Sequence, residues 1–261
     1  MYDFRDLQPR AEPSPSLPLE AISYAGKWLD REIPEFETLV VEGRGGFERE
    51  INAPSRVGDG DLYLNSRIKS RKLTVIFRLL CDDVDQYNEA VTKLNQLTFA
   101  SNVEVRFADD EEYHYIGTVE SITFDKPLLR TTGKLEIVCS DPYKYGDSQT
   151  FTIKSTPFSI SNRDLTYPQT PKLIEFTPNS DISKFEMRTN QGKVFTFNES
   201  ISAGKKITID FTNLTVKIGT VQHLMGLTLT SNFSDFYIQN GTTITTNVSG
   251  DFKLVYEVKR L

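Results

Sequence analysis

Histidine is the residue type most often used for acid–base catalysis or metal binding, and this chain has two histidines. His114 lies between tyrosines on a predicted strand, and His223 lies in the segment VQHLMG, on a loop or strand edge. Neither has a second histidine, a cysteine or a carboxylate at the spacing of a metal site, and HxxxH, HxH and CxxC patterns are absent. We therefore expect both to be structural or surface residues, with no metal and no cofactor bound.

The two cysteines, Cys81 and Cys139, each end an alternating apolar run. Two cysteines are too few for a disulfide framework in a chain of 261 residues. We predict that both are small buried apolar side chains, in preference to a disulfide or a nucleophile.

Two acidic segments have a partial likeness to calcium sites. The four consecutive acids of Asp109–Glu112 point in several directions on any backbone, so they predict a solvated loop. The segment VGDGDLYL, at residues 57–64, begins like a calcium loop but lacks the remaining ligands and the terminal glutamate. It predicts a turn.

A glycine-rich segment follows the apolar run FETLVVE and comprises Gly43, Arg44, Gly45 and Gly46. The phosphate-binding patterns GxxxxGK[ST] and GxGxxG are absent, and no helical pattern follows to supply an N-terminus. We predict a tight loop. Because no other segment has the pattern of a nucleophile or an acid–base pair, we expect that the protein is not an enzyme.

The segment SDPYKYG allows two interpretations, an aromatic binding pair or a hinge between two domains. Proline cannot donate to a strand ladder and restricts the preceding residue, so the segment ends a strand. We favour a hinge in which both tyrosines pack the junction. Its predicted residues are Asp141, Pro142, Tyr143, Tyr145 and Gly146.

Strand patterns dominate the chain before this junction. The runs RKLTVIFRL, NVEVRF and GKLEIVC alternate apolar and polar residues, which is typical of strands with one buried face. One helix is predicted in DDVDQYNEAVTKLNQL, with Val84, Tyr87, Val91 and Leu94 on one face and a capping box from Asp83 to Gln86. Residues 1–20 are rich in proline and predict an extended arm.

After the junction, nine short alternating runs predict strands: KLIEF, KFEMRT, KVFTF, KITIDF, LTVKI, LTLTS, FYI, TTITT and FKLVYEVK. Turn residues separate them, and Asn240-Gly241 favours a tight hairpin. We therefore predict a mainly β protein with two domains. Residues 1–145 form a β-sandwich-like domain with one helix, and residues 146–261 form an antiparallel β-sandwich.

Charge is divided unevenly between these parts. Residues 1–146 contain 18 Lys and Arg against 26 Asp and Glu, a net −8, and the remainder has a net +2. Nonspecific binding to nucleic acid requires a basic surface, so the acidic part argues against it. No run approaches the roughly 18 apolar residues of a membrane span, and the N-terminus has no apolar core of a signal peptide. Folding in a cytoplasm is expected.

The order of elements over 26–146 resembles the distal tail proteins (Dit) of long, non-contractile-tailed bacteriophages. The matching segments are GKWLDREIPEFETLVVEGRGG, SRKLTVIFRL with its capped helix, VEVRFADDEEYHYIGTV and GKLEIVCSDPYKYG, and the close YIQNGTTITTNVSGDFKLVYEVKRL matches as well. The family often has an acidic residue after the arginine of the glycine turn, where this chain has Gly45. That departure weakens any role for the loop.

The resemblance implies a virion protein at the tail tip, assembled in the host cytoplasm. It implies a six-fold ring formed by the N-terminal domains and outward, galectin-like or carbohydrate-module-like C-terminal domains. Its implied partners are the tail tube protein, the tail-tip hub, the tape measure and receptor-binding proteins, while DNA passes the lumen without specific binding. The implied ring contacts are the loop Gly43–Gly46 and an extended hairpin, or belt, within Glu48–Lys72.

The alternative function is a carbohydrate-binding module or adhesin, suggested by the threonine-rich sandwich. Sugar-binding sandwiches usually present an exposed aromatic platform, typically tryptophan. Trp28, the only tryptophan, lies in the first domain, and Tyr237 and Tyr256 alternate within strand patterns. These positions disfavour the alternative.

Overall fold

The computed structural model describes residues 17–126, 129–154 and 156–261. Two compact units divide the chain between Lys144 and Tyr145, and the second comprises Tyr145–Arg260. Most of the proline-rich arm predicted for residues 1–20 lies outside the described residues.

The described part of the first unit contains two helices and nine strands before Lys144. In chain order they are β1 (Ile22–Tyr24), β2 (Lys27–Trp28), α1 (Leu29–Glu32), β3 (Phe36–Glu42), β4 (Arg49–Asn52), β5 (Asn65–Ile68), β6 (Arg71–Leu80), α2 (Val84–Thr98), β7 (Val103–Phe107), β8 (Tyr113–Phe124) and β9 (Arg130–Cys139).

Two antiparallel sheets share the long strand β8. The first part of β8 pairs with β7, which continues to β1 and β2, and the second part pairs with β9, which continues to β6 and β3. The alternation of RKLTVIFRL is confirmed, since Leu73, Val75, Phe77 and Leu79 are all fully buried. These side chains form one core with the apolar residues of β7, β9 and α2. The predicted β-sandwich-like unit is thus confirmed.

Helix α2 has the predicted cap. The Asp83 carboxylate accepts a hydrogen bond from Gln86 N at 2.8 Å, and the Gln86 side chain accepts from Asp82 N at 2.7 Å. Leu94 is fully buried, but Val84 is 62% exposed, so the predicted apolar face is shorter than the periodicity suggested. Val84 is the first helical residue and does not belong to the core that Ala90 and Leu94 join.

The segment between β3 and β6 forms the extended hairpin that was expected. Strands β4 and β5 pair with each other along their whole length, as a separate two-stranded sheet. A backbone hydrogen bond from Lys69 N to Glu48 O (2.9 Å) closes the base, and an isolated bridge joins Ser55 to Asp61 near the tip. The seven steps from Glu48 to Ser55 correspond to roughly 23 Å of strand.

The second unit is an antiparallel sandwich. Its strands are β10 (Lys144–Ile153), β11 (Phe158–Ser159), β12 (Leu173–Pro178), β13 (Phe185–Thr189), β14 (Val194–Phe197), β15 (Ile207–Asp210), β16 (Thr215–Ile218), β17 (Val221–Gln222), β18 (Thr243–Thr246) and β19 (Gly250–Arg260). One sheet has the order β17-β16-β15-β12-β19-β10, and the other has the order β11-β18-β13-β14.

A phenylalanine-rich core holds this sandwich together. Phe176 stacks on Phe185 with ring centroids 4.6 Å apart, and Phe211 stacks on Phe236 at 5.4 Å. All four of these side chains are at most 5% exposed. Offset and tilted contacts of this kind add to the free energy gained by burying the rings.

Two strands predicted in the second unit are wrong. The run LTLTS at 227–231 follows a 3-10 turn (Leu224–Gly226) and makes one bridge to β14, between Leu227 and Phe197. The chain then turns, and Thr228 and Ser231 both bond to Thr196 O, so the pairing does not extend into a ladder. The run FYI at 236–238 contributes one isolated bridge, between Ile238 and Gln169. Gly241 has the predicted positive φ (+81°), but its turn leads from that bridge into β18 and does not join two paired strands.

Candidate assembly interface

The glycine loop begins at Gly43, where β3 ends. Gly43 has φ +90°, and a Cβ atom placed there would lie 2.1 Å from the carbonyl oxygen of Lys72. Both constraints exclude an ordinary L residue without rearrangement. Gly45, in contrast, has no atom within 4 Å of such a Cβ. The chain therefore needs glycine at the start of the loop for close packing against β6.

The buried guanidinium of Arg71 fixes the backbone of the glycine loop. Arg71, the first residue of β6, is 6% exposed. Its Nη1 donates to Gly43 O at 2.9 Å and to Arg44 O at 2.8 Å, and its Nε donates to Pro142 O at 2.8 Å. The guanidinium also lies over the Tyr115 ring at 5.6 Å. Backbone carbonyls of the loop and of the segment after β9 are thus fixed to one side chain.

The side chain of Arg44 is directed into its own unit. Its two terminal nitrogens bond both oxygens of Asp109 at 2.6 and 2.7 Å, and Nη2 also donates to Glu20 Oε1 at 2.8 Å. The guanidinium lies 4.8 Å from the centroid of the Phe107 ring. This hydrogen bond to Asp109 raises the pKa of Arg44, and the same pair lowers the pKa of Asp109. The arginine therefore fastens the loop instead of projecting from it.

The acidic segment Asp109–Glu112 is the predicted loop, between β7 and β8. Its first two acids have partners: Asp109 pairs with Arg44, and Asp110 pairs with Lys144. Glu111 and Glu112 are exposed. The segment therefore anchors two other parts of the first unit and leaves two charges on the surface.

A cleft of about 500 Å³ lies between the glycine loop and the base of the hairpin. Gly43 and Gly46 line one side, Lys69 and Ser70 line the other, and Arg71 contributes to its lining. Phe47 also lines it and is 56% exposed. The loop and the hairpin base therefore form one concave surface.

The hairpin itself carries an exposed apolar surface. All four residues of β4 are exposed. Half or more of each of the following side chains is exposed: Ile51, Val57, Leu62, Tyr63 and Leu64. A two-stranded hairpin is marginally stable in water unless something packs against it.

Two family models match the chain in succession. The model of the phage tail protein RIFT-related domain matches residues 38–138, and the model of the siphovirus-type tail component, C-terminal domain, matches residues 166–259. The two ranges fall in the first and second units respectively and together span most of the chain. The chain belongs to the siphophage distal tail proteins. It is accordingly a structural component of a phage tail.

A solved structure gives the same fold. The Dit protein of phage SPP1, described as a paradigm of the hub adsorption apparatus in phages that infect Gram-positive bacteria, superposes with a TM-score of 0.77 at 19% identity. The match covers 91% of this chain and 98% of that protein. A chain of the phage P2 baseplate in its activated, calcium-bound conformation matches with a TM-score of 0.47 at 8% identity, over 85% of this chain and 90% of that one. No curated protein matches.

The predicted junction of this distal tail protein lies at the division between its units. Asp141 accepts a hydrogen bond from Tyr143 N at 3.1 Å, and Pro142 O accepts from Arg71. Tyr145 and Gly146 lie within β10, so the turn residues of the segment are those before Lys144. Tyr143 and Tyr145 are half-buried.

The other residues capable of chemistry lie apart from this surface. His114 is 4% exposed, and His223 Nδ1 lies 2.6 Å from Glu199 Oε1. Cys81 and Cys139 are buried free thiols, and burial raises the pKa of Cys139 to about 11. Within the described ranges, no group of three or more His, Cys, Asp or Glu residues could hold a metal ion, and no helix is long and apolar enough to cross a membrane.

The aromatic residues considered for sugar binding do not form a platform. Tyr256 is 4% exposed, with its hydroxyl bonded by Asn162 at 3.0 Å. Tyr237 lies beneath the ammonium of Lys193 at 5.4 Å, and Trp28 belongs to β2 of the first unit.

Sequence reasoning identified the glycine loop but not the side chains that hold it. Arg71 reads as the first charged residue of an alternating strand, and Glu20 lies within the proline-rich stretch. Asp109 is 65 positions from Arg44, so only the pairing of strands brings the two together. A strand pattern alone does not signal that Arg71 is buried.

Proposed function

We propose that the chain forms a closed ring of six copies at the distal end of a siphophage tail. The ring joins the tail tube to the tail-tip hub and the adsorption apparatus, and tape measure and receptor-binding proteins contact it. DNA passes the lumen without specific binding, and assembly takes place in the host cytoplasm. The membership in the distal tail proteins supports this role, as does the likeness to the SPP1 Dit fold.

The uncovered hairpin is the observation that carries the proposal. Among the described residues it forms a two-stranded sheet of its own, with no further strand on either backbone edge and with exposed apolar side chains. An edge of this kind is usually covered in a native protein. A second copy of the chain covers it when identical subunits repeat around a closed ring, because each copy then supplies one hairpin and receives one.

The negative charge of the first unit supports the proposal that DNA passes through the ring without being bound. Residues 1–146 carry a net −8, whereas the remainder carries +2. A negative wall repels the DNA phosphates, and so the nucleic acid moves past without being held.

Shortening the hairpin tests the proposal. We would replace Asn52–Asn65 with Asn-Gly, which keeps a two-residue hairpin turn on the base of the hairpin. The expected result is a folded monomer by light scattering, slightly lighter than the 29.7 kDa of one unaltered chain, whereas the unaltered chain gives a multiple of six copies. A shortened chain that still assembles would contradict the role of the hairpin.

A matched control removes equally exposed apolar side chains from the second unit. Met225 and Leu229 are both almost fully exposed. The double variant Met225→Ser, Leu229→Ser should retain the ring mass. Loss of the ring in this control would show that exposed apolar residues in general, and not the hairpin, determine assembly.

The segment Asp141–Gly146 is proposed as the hinge between the ring-forming unit and the outer unit. Replacing Tyr143 and Tyr145 with alanine should increase the spread of orientations between the units and leave each unit folded. Small-angle scattering of the shortened, monomeric chain measures that spread. A variant with unchanged scattering would remove the hinge role from these tyrosines.

A further inference from the structure

The cleft beside the glycine loop contains hydrogen-bonding capacity that its own unit leaves unused. Arg71 uses Nε and Nη1 for three backbone carbonyls. Its Nη2 forms no hydrogen bond with any residue in the described part of the chain, although the side chain is 94% buried and lines the cleft. A guanidinium in this position is arranged to receive an anion, since a carboxylate is its usual partner.

Arg71 is the cation of the lining that no described carboxylate neutralises. Lys72 Nζ lies 3.0 Å from both Glu120 and Glu136, and Lys69 pairs with Glu48. Lys69 Nζ lies 3.4 Å from Glu48 Oε2, which is long for a hydrogen-bonded ion pair. Phe47 adds an exposed apolar side chain beside these charges. The cleft therefore fits a carboxylate that is flanked by apolar residues.

The tip of the hairpin has that combination. Asp59 and Asp61 are exposed, and neither carboxylate makes a hydrogen bond or ion pair with another described residue. Leu62 and Tyr63 follow directly and are 50% and 62% exposed. Arg56 lies in the same turn and donates to the carbonyl oxygen of Asp59 at 3.2 Å, so the tip presents two carboxylates against one guanidinium, beside apolar side chains.

The cleft and the hairpin tip of the same copy cannot contact each other. The cleft lies at the base of the hairpin, and the Ser55–Asp61 bridge lies roughly 23 Å further along the strands. We propose that the cleft of one copy binds the hairpin tip of the next, with the neighbouring copy's Asp59 or Asp61 at Arg71 Nη2. This inference rests on the proposed ring, and it gives that ring a head-to-tail contact between two different surfaces, which is the kind that closes into a ring.

Engineered cysteines test the contact. Ser70 lines the cleft and is exposed, so Ser70→Cys and Asp61→Cys each place one thiol on one of the two surfaces. Equal amounts of the two single variants are mixed, allowed to exchange subunits and oxidised. We expect a covalent dimer containing one copy of each, reversed by reductant. The native cysteines Cys81 and Cys139 are buried and give little background.

A control pair joins Asp61→Cys with Asn88→Cys, a residue exposed on helix α2. This pair should give no mixed dimer. If Asp61→Cys cross-links equally to both positions, the contact is not specific and the proposal is wrong. If the Ser70→Cys variant instead cross-links to an Asp3→Cys variant, the N-terminal segment occupies the cleft and the proposal is also wrong.

Charge reversal supplies a second measurement. Asp59→Lys with Asp61→Lys should weaken ring assembly at least tenfold, and Asp59→Glu with Asp61→Glu should retain it. Rings that form normally but show neither cross-linking nor sensitivity to these charges would overturn the cleft contact and leave the proposed function intact. An unaltered chain that remains monomeric would contradict the proposed function itself.

Discussion

Arg44 and Asp109 form a two-pronged ion pair, with nitrogen–oxygen distances of 2.6 and 2.7 Å, between the glycine loop and the loop after β7. The pair is about one-quarter exposed at each partner, with side-chain exposures of 20% and 26%. Its geometry is that of the stronger class of protein hydrogen bonds, because both partners are charged and two bonds form in parallel. The pair therefore contributes to the conformation of the candidate ring-interface loop.

Removing either partner should lower the free energy of unfolding. We expect about 1–3 kcal/mol for Arg44→Gln and about 1 kcal/mol for Asp109→Asn, which keeps one acceptor. The double variant should cost less than the sum, by about 1 kcal/mol, because the two residues contact each other. Urea denaturation of all four proteins at one concentration measures this, and strictly additive losses would show that the ion pair contributes nothing.

The same pair makes stability depend on acid. Arg44 lowers the pKa of Asp109 below its ordinary value, so the unfolded chain binds a proton more readily than the folded chain. The contribution of Asp109 is complete above the ordinary aspartate pKa of about 4 and is lost as the pH falls through the lowered value. The stability difference between the unaltered chain and Asp109→Asn should therefore shrink below about pH 4. A difference that grew in acid would contradict this assignment.

Gly43→Ala should destabilise the first unit far more than Gly45→Ala. The first position combines a positive φ, which costs about 1–3 kcal/mol for a residue with a side chain, with a contact of 2.1 Å to Lys72 O. The second position is open. Thermal and urea unfolding of the two variants provides the comparison. Equal losses would mean that the loop does not pack as closely as the structure shows.

The cap of α2 offers a prediction distant from the interface. Asp83→Ala removes the acceptor for Gln86 N and should cost about 1 kcal/mol. Asp83→Asn retains an acceptor and should cost less than half as much. Far-UV circular dichroism during urea unfolding measures both. An alanine variant as stable as the unaltered chain would show that Asp83 does not contribute to the helix.

Local patterns predicted the elements whose determinants are local. The alternation that leads to Leu73 and Phe77 identified β6, and Asp83 with Gln86 identified the start of α2. The hairpin was expected from the family resemblance and from the weak polar pattern of Glu48–Lys72. Such patterns depend on residues within a few positions of each other, so they can be recognised without knowledge of the fold.

The remaining features depend on contacts between distant residues. Arg71 reaches carbonyls 27, 28 and 71 positions away, and strand alternation does not encode such partners. The run LTLTS was predicted as a strand because its alternation is genuine, but its pairing with β14 stops after the single bridge between Leu227 and Phe197. The cleft likewise exists only where the loop, β6 and the hairpin base come together.

The mass of the purified chain in solution tests the central claim most directly. Native mass spectrometry of the unaltered protein should give about 178 kDa for six chains of 29.7 kDa, or a multiple of that mass if rings stack. A stable monomer of 29.7 kDa at the concentrations of assembly would contradict the ring.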